Sequence, residues 1–294
     1  MTSLSKTRPM YWSIRRELWE HRSILVAPLV VTGFVLFGSL ISMIGLPHRI
    51  QTLPTLEPAR QHAVVIRPFS MAPAPIMLAA FLVGMFYSLD ALHGERRDRS
   101  ILFWKSLPVS DLTTVLSKAS IPLVVLPLLA FALSLATQAI MLLLSTAVLL
   151  GSGVSPAPLW TEFRFFQDPL VTLYGLTVHA LWFAPIYGWL LLVSVWARRT
   201  PLLWAALPFF AISILERMAF NTTHFASLVR HRVTGAMEVA FAVDPQRGDA
   251  GVIDQLSQLT PLGFLGSPGL WIGLVAAAAF LAAAARLRRY REPI

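Results

Sequence analysis

Charged positions along the chain gather in short clusters, and long stretches between them hold almost none. A helix needs about 20 apolar residues to cross the hydrocarbon core of a bilayer, and six stretches meet or approach that length. They fall at 24–46, 70–92, 121–150, 171–197, 201–220 and 268–285. The first is 23 residues without a charge. The second carries Pro73 and Pro75 near its start, and the third carries Pro122 and Pro127 as bend points. The fourth is interrupted by one histidine, His179. The fifth opens as a run of only 15 residues, Pro201 to Leu215, and must borrow from Glu216 onward. The sixth is Ala-rich and closes on Arg286. The pattern predicts an all-α integral membrane protein with six transmembrane helices, forming a single membrane domain over residues 1–294.

Composition agrees. Hydrophobic residues make up 56% of the 294 and charged residues 13%, about half the charged share of an ordinary soluble domain. Zero cysteines exclude thiolate catalysis, thiolate metal sites and disulfides. The net charge of +9 would suggest nucleic acid in a soluble protein. In a membrane protein the same excess marks cytoplasmic loops, and no nucleic-acid partner is expected. Sixteen of the 24 Lys and Arg residues lie before the first stretch, between the second and third, between the fourth and fifth, and after the sixth. That bias predicts a multi-pass cell-membrane protein with both termini cytoplasmic. The first stretch begins too late and runs too long for a cleaved signal peptide.

Two segments outside the stretches carry information. Residues 8–23 (RPMYWSIRRELWEHRS) mix Tyr11, Trp12 and Trp19 with Arg15, Arg16, Glu17 and Glu20. This suits an N-terminal interfacial helix in contact with membrane lipid, and equally a topogenic basic flank. The segment 94–107 packs Glu95, Arg96, Arg97, Asp98, Arg99 and Ser100 ahead of Ile101, Leu102, Phe103, Trp104 and Lys105. Pro108 stops what precedes it, and Ser110 can cap a new helix with Asp111 in its first turn. A charged segment bearing a compact apolar-aromatic knob is what a docking element needs, because the knob fills a groove and the charges set register. The plainer alternative is a solvated loop whose aromatics lie back on the membrane.

The run SLDALHGERRDRSILFWKSLPVSDLTTVLSK resembles the segment between spans two and three in permease subunits of type-2 ATP-binding-cassette exporters. RRELWEHRS and FAPIYGWLLLVSVWARRTPLLWAALP are also similar to members of that family. The resemblance implies a six-span subunit of a bacterial inner membrane that pairs with a second permease subunit, as a homodimer, and with cytoplasmic ATPase subunits. It makes 94–107 the cytoplasmic coupling helix, so that Glu95, Arg96, Arg97, Asp98, Arg99, Ser100, Trp104 and Lys105 touch the ATPase. ATP and Mg would be bound there, with no cofactor in this chain. The outer loop 216–267 departs from the family in its length of 52 residues, and the substrate does not carry over.

Motif absences fit a transport subunit that is not itself an enzyme. The chain has no G-x-x-x-x-G-K-[ST], H-E-x-x-H or G-x-S-x-G. Intramembrane polar groups default to functional hypotheses. Gln138 and His179 are candidates for the translocation path or for inter-helix hydrogen bonds. Glu216, with Arg217, is either an anchoring pair or an outer gate. Trp182, Trp189 and Trp196 recur every seven residues and share a helix face. In the outer loop, Phe225, Leu228, Val229, Val233, Met237 and Phe241 predict a helix on the outer leaflet, followed by a polar turn at Asp244–Asp249. The competing classes are an ion-coupled secondary transporter, which needs a carboxylate near the membrane midplane, and a membrane-embedded enzyme, for which no clustered nucleophile and base are present.

Overall fold

The computed structural model describes residues 9–55, 57–106, 109–163, 166–242 and 256–290. These residues are almost wholly helical, and the sole β pairing among them is an isolated bridge between Phe241 and Leu259. Six helical segments are long and apolar enough to cross a membrane, which makes this a multi-pass membrane protein.

Helix α1 (Pro9–Glu20) turns sharply at His21 into α2 (Ser23–Met43), the first of the six. Short α3 (Leu46–Thr52) starts where Pro47 supplies a preformed first turn. Helix α4 (Pro58–Met71) abuts α5 (Pro73–Asp90), which in turn meets α6 (His93–Arg97), so the second membrane-length segment extends from Val64 to Arg97. After α7 (Ser100–Ser106), α8 (Asp111–Ser120) begins at Ser110, whose hydroxyl accepts from the Thr113 amide at 3.1 Å. The Leu107–Pro108 break lies outside the described residues. Helix α8 runs on without a gap into a π-helical turn at Ile121–Val125 and then α9 (Leu126–Gly151). The widened turn sits where Pro122 and Pro127 withdraw two amide donors. The apolar run at 121–150 is therefore only the later part of a 41-residue helical rod, Asp111–Gly151.

Following α10 (Ala157–Glu162), α11 (Gln167–Trp196) is the central helix, with its C-terminal half buried on several faces. It ends at an extended Ala197, and Thr200, in the left-handed region, leads into α12 (Pro201–Phe220). Helix α12 lies at the side of the bundle against α11 and α5 and buries only Ala205. Two short helices, α13 (His224–Thr234) and α14 (Ala236–Ala240), precede α15 (Pro261–Gly266) and the last long helix, α16 (Pro268–Tyr290). The polar turn expected at Asp244–Asp249 lies outside the described residues.

Helices α11 and α16 form the most extensive pair. They approach closely because Gly188 has no side chain: a Cβ there would stand 3.2 Å from the Ala277 carbonyl oxygen. One core cluster joins Ile24, Ile76, Val115, Ile121, Leu191 and Ala284. A second, built on Met43, Phe69, Leu142 and Leu149, closes the opposite end beneath α3, α4 and α10. A third packs Trp182, Ala240, Phe264 and Leu270 at that same opposite end.

Candidate functional site

At the end of the bundle where α1, α6, α8 and the last turn of α16 converge, six charged side chains form one cluster. Helix α1 is amphipathic, and the face it turns to the bundle carries Ile14, Leu18 and, between them, the fully buried Glu17. The Glu17 carboxylate accepts from the Tyr87 hydroxyl of α5 at 2.8 Å and from the Lys118 ammonium of α8 at 2.9 Å. Lys118 also lies 3.2 Å from Glu95 of α6. Glu95 in turn is 3.1 Å from Arg288 of α16 and 3.4 Å from Arg16. Arg288 donates to Asp111 at the first turn of α8. Lys118 is 1% exposed at its side chain and Arg288 3%.

Three cations (Arg16, Lys118, Arg288) thus face three carboxylates (Glu17, Glu95, Asp111). Such a group survives burial only because each charge is matched; an unmatched one there is strongly destabilising. Burial pushes the Glu17 carboxyl up, but Lys118 and Arg16 outweigh it and hold it at about 2. Arg16 is raised despite burial, because Glu17 and Glu95 favour its charged form.

Helix α6 has a second anchorage. Ser194 Oγ of α11 accepts from the amides of Leu92 and His93 at 2.9 and 2.8 Å, satisfying donors that open α6. In return, Arg96 donates to the carbonyls of Val195 and Ala197 at 2.6 and 3.2 Å, at the C-terminus of α11. A cation at the negative end of a helix is favourable in its own right. Each helix caps the other.

Beyond these anchors the chain turns outward. Arg97, Asp98 and Arg99 are exposed, with Arg97 3.6 Å from Asp90 and 3.1 Å from Asp98. Arg99 adopts a left-handed backbone (φ 59°) at the corner between α6 and α7. Ile101 points inward, whereas Leu102 and Phe103 are each 60% exposed. Trp104 is half-buried, with the Arg16 guanidinium 3.9 Å above its ring and Phe103 against its edge. The result is an apolar ledge flanked by charge on a rigid base.

Within 94–107, Glu95 and Arg96 are 5% and 4% exposed, and both side chains are engaged inside the bundle. Arg97, Asp98 and Arg99 do face outward; Ser100 is half-buried, its hydroxyl 3.4 Å from the Glu95 carbonyl. The Lys105 side chain lies outside what the structure describes. Leu102 and Phe103, within the apolar-aromatic knob expected there, face outward, whereas the buried partners Glu17, Lys118, Arg288 and Ser194 are residues that spacing did not single out. For Lys118 a signal existed: it is the last charge before an uncharged stretch reaching Thr161, close enough to the span to be drawn inside.

The remaining candidates are separate from this cluster. Gln138 is buried and donates to the Phe69 carbonyl at 3.1 Å. His179 is 3.1 Å from the Tyr187 hydroxyl, beside Phe81 and Phe183, at a water-sized cavity lined also by Pro122 and Pro127. Glu216 accepts from the Thr222 hydroxyl and the amides of His224 and Phe225 at 2.8–2.9 Å, so its carboxylate caps the start of α13. Trp182 donates to the Arg232 carbonyl at 2.8 Å under the Arg232 guanidinium, and Trp189 donates to Ala205 at 3.1 Å. The tryptophan face is therefore one of helix packing. Among the described residues no group of three or more His, Cys, Asp or Glu is placed to hold a metal ion.

No protein-family model matches the chain, and no curated protein or solved structure matches it significantly.

Proposed function

We propose that this chain is the membrane-spanning permease subunit of an ATP-binding-cassette exporter, driven by separate cytoplasmic ATPase subunits that bind ATP and Mg. One observation carries the reading: the exposed Leu102–Phe103 ledge, flanked by Arg97, Asp98 and Arg99, stands on a base fastened to α1, α8, α11 and α16. A solvated loop has no need of buried charge matching at its root. A handle that must deliver force to a bundle does. In this proposal the ATPase receives Leu102 and Phe103 in an apolar socket, and the arginines set register at its rim. The basic end of the bundle is cytoplasmic, and a second copy of the chain completes the path.

An ion-coupled carrier fits less well. The two buried carboxylates of the cluster, Glu17 and Glu95, sit at one end of the helices and are already matched by cations. The test is affinity purification of the full chain in mild detergent from its own source, with identification of bound proteins. The expected companion is an ATPase with a phosphate-binding loop, lost when Leu102→Asp and Phe103→Asp are combined. Transport at full rate by the chain alone would overturn the proposal.

A further inference from the structure

We infer that Glu95 is the positioning residue through which movement of the α6–α7 ledge reaches α1 and α16, two elements that the ledge does not adjoin in sequence. Glu95 sits on the same short helix as the base of the ledge, yet its carboxylate is shared among Arg16, Lys118 and Arg288, which belong to three other helices. Displacing α6 pulls on all three at once. The contacts are not saturated: Arg288 Nε is buried without an acceptor, and Arg16 Nε has only the Glu20 carboxylate, 3.7 Å away. Donors left over around a shared acceptor give the cluster more than one way to pair, so Glu95 can exchange partners as the ledge moves without leaving a charge unmatched. Removing its charge cuts the link, while Ser194 and Arg96 still hold α6 to α11.

The inference rests on the ledge being the ATPase handle, but its geometric half is tested without any partner. The chain has no cysteine, so spin labels can be placed in pairs. One pair, Leu102→Cys with Tyr290→Cys, spans the ledge and the end of α16. A control pair, Phe86→Cys with Trp196→Cys, spans α5 and α11. In lipid nanodiscs both pairs should give one narrow distance. Glu95→Gln should abolish the narrow distance of the first pair and leave the second. Arg288→Lys, which keeps the charge and loses the forked contact, should do the same. A first pair that stays narrow in both variants overturns the inference, and so does equal broadening of both pairs, which marks a general loss of structure. With the copurified ATPase, Glu95→Gln should keep the KM for ATP and lose transport per ATP hydrolysed. If no ATPase copurifies with the unsubstituted chain, the functional reading falls, and the distances still decide the role of Glu95.

Discussion

The side-chain amide of Gln138 donates to the main-chain carbonyl of Phe69, 3.1 Å away, at the point where Pro73 deprives that carbonyl of its helical donor. Helices α4 and α5 abut across this proline, and a residue 69 positions along the chain mends the gap. Gln138→Leu, which fills similar volume without a donor, should leave the carbonyl unsatisfied at a cost of about 1–3 kcal/mol. Thermal unfolding in detergent measures it. Because the site is remote from the ledge, capture of the ATPase should be unchanged.

Acid should loosen the attachment of α1. The folded-state value of Glu17, about 2, lies below the ordinary 4.5, so its contribution is fully present above pH 4.5 and is lost as pH falls toward 2. The groups facing it are Arg16 and His21 on its own side, Tyr87 from α5 and Lys118 from α8. Glu17→Gln should be less stable at pH 7 and should show a flatter acid limb when unfolding is followed from pH 6 to 3. An unchanged limb would mean that the carboxylate does not set acid stability.

Arg99 separates binding from folding. Its left-handed backbone costs a residue with a side chain about 1–2 kcal/mol. Arg99→Gly should therefore be neutral or stabilising in thermal unfolding, whereas Arg99→Val, β-branched at the same φ, should destabilise. Yet Arg99→Gly should still weaken capture of the ATPase, because the exposed guanidinium is gone.

Gly188 sets the spacing of the central pair. A Cβ 3.2 Å from the Ala277 carbonyl has backbone in its way rather than a flexible side-chain tip. Gly188→Leu should force α11 and α16 apart and cost about 1–3 kcal/mol. The same substitution at Gly38, where nothing lies within 4 Å, should be tolerated. Comparing the two unfolding midpoints checks the contrast.

The six apolar stretches were legible because lipid demands uninterrupted hydrophobicity, and that is a property of consecutive residues. The Ser110 cap was legible for the same reason: the capping hydroxyl and the amide that donates to it are three residues apart. The charge cluster was not. Lys118 and Glu17 are 101 positions apart, and Arg288 and Glu95 are 193 apart, so their meeting depends on how whole helices pack. In the sequence, Glu95 and Arg96 look like the arginines beside them. Only the rotation of α6 against α11 decides which of them turn inward. The partners of Glu216 lie six, eight and nine residues ahead, across the turn at Asn221, which helical spacing does not reveal.

The mutual termination of α6 and α11 has a mechanical consequence. Neither helix can slide along its own axis without stripping the other of its end partners, since Ser194 holds the opening amides of one and Arg96 the closing carbonyls of the other. The joint resists telescoping and twisting. A push at the ledge, whatever delivers it, must carry the C-terminal end of the fourth membrane helix along with it.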